Sequence, residues 1–158
     1  MFRSLLTPVD GSGHARRALS IACQLVAADG VLHLLNVQEI PTSTYGIATI
    51  GTRPPLDTFS KEVAEEAGRA ALDSMMETMP AHQCRVETGV RVGSPAHTII
   101  EEAERLGVEA IVMGSRGLSD FRGMMVGSVS HRVSHTAPCT VISVHDAPHV
   151  HGERACAL

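Results

Sequence analysis

Apolar positions along this chain change period several times, and each change marks an element. Ser4 to Val9 is a short apolar run, ended by Asp10-Gly11-Ser12-Gly13, a turn that also offers Ser12 as a helix cap. Ala15, Ala18, Leu19, Ala22, Leu25 and Val26 then recur at steps of three and four, which predicts a helix burying one face and ending at Gly30. Val31 to Val37 is apolar on both faces, as expected of a strand covered by helices on each side. Residues 38–56 form the longest irregular stretch. Beyond them Phe59, Val63, Ala67, Ala71 and Met75 step by four, predicting a second helix that stops near Pro80.

From Cys84 to Val92 the pattern alternates strictly, with Cys84, Val86, Thr88, Val90 and Val92 on one side and Arg85, Glu87, Gly89 and Arg91 on the other. That is the pattern of an edge strand with one wet face. Ser94 and Pro95 read as a cap and a first-turn proline, followed by a buried stripe of Ile99, Ile100, Ala103 and Leu106 and a terminating Gly107. Glu101, Glu102 and Glu104 read as the solvated face of that helix. Ala110 to Met113 is a fourth strand, Ser128 to His135 a fourth helix with Val129 and Val133 inward, and Cys139 to His145 a last strand after Pro138.

The alternation of strands and helices predicts a single α/β domain built on a parallel sheet with right-handed crossovers. Ligands of such sheets bind beyond the carboxyl ends of the strands, where the strand order reverses. Asp10 and Gly114 both follow strands, so both are expected at that rim. The segment after the fourth strand carries Gly114 and Gly117, then Gly127 and Ser128 at the start of the fourth helix. Glycines let backbone N–H groups come close to a ligand, and a helix start adds unpaired donors and the positive dipole end, a combination suited to phosphate. No lysine lies in this segment, which leaves Arg116 and Arg122 as the cations available to offset phosphate charge.

Composition narrows the classes. With 158 residues, 44% apolar and 3% aromatic, the core must be built from aliphatic side chains and methionine. The net charge of −4, without a basic stretch, argues against a nucleic-acid partner. Four scattered cysteines without a Cys-x-x-Cys pair read as reduced thiols. The strand-like start leaves no room for a signal peptide and no apolar run reaches membrane length, so the expected location is the cytoplasm, away from membranes.

The residues at Gly114, Gly117, Gly127 and Ser128 match the pattern Gly-x2-Gly-x9-Gly-Ser/Thr. With Thr7-Pro8-Val9-Asp10-Gly11-Ser12, Gly127 to Ser130 and Ala137 to Val141, the chain resembles the universal stress protein family over nearly its whole length. The resemblance implies a domain over 1–146 with a polar tail over 147–158, a five-stranded sheet in the order 3-2-1-4-5, an ATP site with or without Mg2+, and a homodimer. By that resemblance Asp10 holds the ribose hydroxyls, Val37 presents its backbone to the adenine edge, and Pro8 and Met113 line the base or ribose pocket. Gly114 and Gly117 let the loop approach the phosphates, and Gly127, Ser128 and Val129 supply donors. The family topology also puts the last strand at a sheet edge, where apolar Val141, Ile142 and Val144 invite pairing through Thr140 to Val144 with a second copy. The implied role is a nucleotide-responsive stress regulator with an unidentified protein partner. A slow ATPase or autophosphorylating enzyme and a nucleotide-free interaction module stand as alternatives.

Plainer readings stand beside these. The glycines are ordinary turn formers, and Asp10 is a helix-capping acid. His131 and His135 share a helix face without a third ligand, which favours a solvated pair over a metal site. Gly11 to Gly13 begins a dinucleotide fingerprint that Arg16 breaks, and no Walker-type loop is present.

Overall fold

The computed structural model describes residues 1–39, 56–116 and 127–145, with side chains described from residue 61 onward in the second helix. The expected 38–56 loop falls almost wholly outside these residues. So do Gly117, Arg122 and the tail. Strands β1 (Phe2–Pro8), β2 (Val26–Gln38), β3 (Arg85–Val92), β4 (Ala110–Gly114) and β5 (Thr140–Val144) alternate with helices α1 (Gly13–Leu25), α2 (Leu56–Glu77), α3 (Pro95–Leu106) and α4 (Ser128–Thr136). They form one parallel sheet in the order β3-β2-β1-β4-β5, as the family resemblance implied. The chain thus runs outward on one side through β2 and β3, then returns to the other side of β1, so the order reverses between β1 and β4.

Strand pleating divides the core into two layers. Leu5, Leu34, Ala110 and Val112 face Ala18, Leu19 and Ala22 of α1 and Leu72 and Met75 of α2. Leu6, Leu35, Ile111 and Met113 face Ile99 and Ala103 of α3 and Val133 of α4. Helix starts and stops follow the local chemistry. Ser12 Oγ accepts the Ala15 N–H at 3.1 Å and caps α1. Gly107, in the left-handed conformation at φ 60°, ends α3. Cys23, Cys84 and Cys139 are free thiols, and burial pushes that of Cys23, with Cys84 nearby, up to about 11.

Three expectations are corrected. The first concerns Gly30. Helix α1 ends at Leu25, and Val26 is already extended. Phe2 pairs with Val26 but Ser4 with Val31, so Ala27 to Gly30 stand opposite Arg3 alone. A Cβ at Gly30 would lie 2.9 Å from the Arg3 carbonyl and 3.0 Å from that of Ala27. The glycine therefore serves a bulge pressed on β1, not a helix end.

The second concerns α2. Its inward row is Gly68, Leu72 and Met75, while Val63 is 50% exposed and Ala67 is exposed. A strict step of four drifts around a helix of 3.6 residues per turn, and close seating at Gly68 decides which side faces the sheet. Phe59's side chain is outside the described residues. The third concerns Glu102, which is 8% exposed rather than solvated. It takes bonds from Arg91 Nε at 3.0 Å and Nη2 at 3.1 Å, and from Arg105 Nε at 3.1 Å and Nη2 at 2.7 Å. These two forks, with Arg105 the leading cause, hold its carboxyl below the usual range against the opposing effect of burial. The carboxylate thereby ties α3 to edge strand β3.

Candidate functional site

At the end of β1 the chain turns within four residues. Val9 N–H donates to Leu35 O at 2.9 Å, keeping the turn against β2. Gly11 sits at φ +83°, a conformation open to glycine at little cost. Asp10 Oδ1 accepts the Ser12 N–H at 2.9 Å, so the acid braces the turn while Ser12 is the helix cap. A carboxylate has acceptor capacity beyond one such bond.

The neighbouring strand β4 ends in Gly114. A Cβ there would meet His14 Cβ at 2.8 Å, His14 C at 3.0 Å and the Arg116 carbonyl at 3.1 Å. The absence of a side chain lets the start of α1 lie directly on the end of β4. Ser115 N–H continues the sheet to Val144 O at 2.8 Å. Its carbonyl accepts from Gly127 N–H at 2.6 Å and from Ser130 Oγ at 2.7 Å. The chain that leaves after Arg116 is thus pinned at its return, and α4 begins beside the end of β4.

Between these segments lies a cleft of about 220 Å³. Of the residues the sequence singled out for the ligand, Pro8, Asp10, Val37, Met113, Gly114, Arg116, Gly127 and Val129 line it. Ser128 is exposed at the first position of α4 and is not part of the lining. Gly117 lies outside the described residues. One expected donor is already engaged: the Gly127 amide serves Ser115. The first-turn amides of Ser128 and Val129 have no intrahelical acceptor.

Sequence reading missed Glu39 and the α3 residues Pro95 and Ile99, which close the β2 side of the cleft. It also missed Asn36, whose Nδ2 donates to Val9 O at 2.8 Å. Only the break of polarity inside an apolar strand marked it. The cleft offers apolar walls for a flat ring, carboxylates at Asp10 and Glu39, and a helix start with Arg116 for an anion. His131 and His135 are neighbours on α4 with ring centroids 4.6 Å apart. Among the described residues no three or more His, Cys, Asp or Glu gather as a metal site, and no helix is long and apolar enough to cross a membrane.

An open, doubly wound sheet with a cleft at its switch point defines a class of α/β proteins that hold small ligands at that rim. Within that class, the sequence model of the Universal stress protein family matches residues 1–145, and the chain belongs to this family. It is similar to the universal stress protein YxiE of Bacillus subtilis, 34% identical over 148 residues, which covers 91% of this chain and 99% of the relative. The structure of universal stress protein UspA from Lactobacillus plantarum superposes with a TM-score of 0.69 at 26% identity, over 89% of this chain and 95% of that one. Two further structures share the fold: a universal stress protein in complex with cAMP (TM-score 0.58, 22% identity, 91% and 97% covered) and a family member from Arabidopsis thaliana with AMP bound (TM-score 0.56, 18% identity, 91% and 92% covered).

Proposed function

We propose that this chain binds an adenine nucleotide, ATP foremost, in the β1/β4 cleft, and acts as a nucleotide-responsive dimeric regulator. One observation carries the reading: a carboxylate on the turn after β1 and a helix start after β4 share one cleft with apolar walls. That spacing of functions suits a nucleotide, with the ring against Val37 and Met113, the sugar hydroxyls on Asp10, and the phosphates toward Arg116 and α4. The family members crystallised with cAMP and AMP support the ligand class. Phosphates held there would bring Mg2+ with them, and Asp10 is the described lining acid nearest the Gly114 end by strand pairing.

The contrast between the sheet's two edges supports the dimer reading. Edge strand β3 carries Arg85, Glu87 and Arg91, tied into ion pairs with each other and with Glu102, the kind of charge that deters strand addition. Edge strand β5, Thr140–Val144, carries no charge. Antiparallel addition of a second copy satisfies its unpaired backbone groups. Nucleotide binding that reshapes the surface around α4 then alters a partner's affinity by linkage.

Thermal melting tests the ligand. ATP at a hundred times its dissociation constant stabilises the fold by about 2.7 kcal/mol, a shift of several degrees. Absence of any shift with millimolar ATP, ADP, AMP or cAMP refutes the reading.

A further inference from the structure

Asn36 is the one polar side chain of β2 that is fully buried, at 2% exposed. Its two ends are both engaged: Nδ2 donates to Val9 O at 2.8 Å, and Oδ1 accepts from Gln38 Nε2 at 2.7 Å. Val9 immediately precedes Asp10, and its N–H is held by Leu35 O at 2.9 Å. Both backbone polar groups of Val9 are therefore tied to consecutive residues of β2. The Asp10 turn hangs from that double attachment.

Helix α2 reaches the same point. A Cβ at Gly68 would stand 2.8 Å from Asn36 Oδ1 and 2.5 Å from Val90 Cγ1. A helix-interior glycine is unfavourable by itself. Here it is the space in which the Asn36 amide lies.

We infer that Asn36 is a positioning residue for ligand hydroxyls: seated against Gly68, it holds the Val9 carbonyl and so aims the Asp10 carboxylate into the cleft. This rests on the nucleotide reading of that cleft and adds to it the group that sets sugar recognition.

Asn36→Asp keeps the size and the acceptor for Gln38 but turns a donor into an oxygen facing the Val9 carbonyl. Gly68→Ala disturbs the same amide from the helix side. The assay is the ratio of Kd values for ATP and 2′,3′-dideoxy-ATP, measured by calorimetry well below each variant's Tm. Wild type prefers ATP by about tenfold, the worth of one good charge-assisted hydrogen bond. Both variants bring the ratio close to one, whereas dideoxy-ATP binds them as it binds wild type. Met75→Ala supplies the stability control: it empties a buried site about 10 Å further along α2, lowers Tm, and keeps the preference. A preference retained in Asn36→Asp and Gly68→Ala overturns the inference while leaving the cleft's function intact. Loss of preference in Met75→Ala also overturns it, because the effect would then track stability alone. A wild type that binds neither nucleotide refutes the nucleotide reading, and this inference with it.

Discussion

Replacing Gly114 by alanine adds one methyl group where β4 meets α1. The three atoms it would strike are His14 Cβ at 2.8 Å, His14 C at 3.0 Å and Arg116 O at 3.1 Å. Two are backbone atoms and the third is fixed to the backbone, so no rotamer change relieves the contact. The strand end and the helix must separate by several tenths of an ångström. Overpacking of this kind costs about 2 kcal/mol, which lowers Tm by about 4–8 °C in a domain of this size. The separation occurs at the rim of the cleft, because Gly114 lines it and α1 continues directly from the Asp10 turn. The variant is therefore expected to lose ligand response as well as stability. Paired melts with and without ATP measure both. Gly107→Ala is the control: nothing lies within 4 Å of its added carbon, yet φ is +60°. It costs about 1 kcal/mol of backbone strain and leaves the ligand-induced shift unchanged. If Gly114→Ala melts like wild type with an undiminished ATP shift, the close seating of α1 on β4 does not shape the site.

Glu102→Gln removes the charge shared by Arg91 and Arg105 and is expected to cost about 2 kcal/mol at pH 7, read from urea denaturation. Because the Glu102 carboxyl lies below its ordinary value in the fold, its contribution is complete above the unfolded-state value near ~4.3 and disappears as pH falls through the lower folded value. The difference between wild type and Glu102→Gln should accordingly shrink below about pH 4; a constant difference down to pH 2 contradicts the assignment. If β5 pairs two copies as proposed, Ile142→Lys, which places a charge in the middle of that strand, is expected to leave a monomer where wild type sediments as a dimer at micromolar concentration. An unchanged dimer would move the interface elsewhere.

Much of this architecture is legible from local chemistry. Ser12, Pro95 and Gly107 mark helix boundaries through one residue's conformational preference, and the strands announce themselves by unbroken or alternating apolar runs. What periodicity cannot convey is contact between segments distant in sequence. Strand order came from family resemblance, since β1 and β4 are separated by about a hundred residues that carry no record of their pairing. Gly30 looked like a helix terminator because a glycine after an amphipathic run usually is one; its reason lies across the sheet, at the Arg3 carbonyl. Glu102 looked solvated because its own helix offers one arginine, Arg105, and the second arrives from β3.

The same distinction separates the parts of the site. Asp10, Gly114, Arg116 and Gly127 stand out because each breaks a pattern at a strand or helix end, where ligands of parallel sheets bind. Asn36 breaks a pattern inside a strand, and nothing local says whether such a residue is tolerated or required. The structure answers through complementarity: a buried amide whose donor meets the Val9 carbonyl, whose acceptor meets Gln38, and whose space is left by a glycine on α2. An unpaired amide in that position would be costly, whereas this one has partners at both ends. Strand β2 thus holds the backbone of this turn directly, α2 packs on the amide that does so, and the same turn carries the acid facing the cleft. The fold therefore fixes the Asp10 carboxylate from behind, through β2 and α2, before any ligand reaches it from the front.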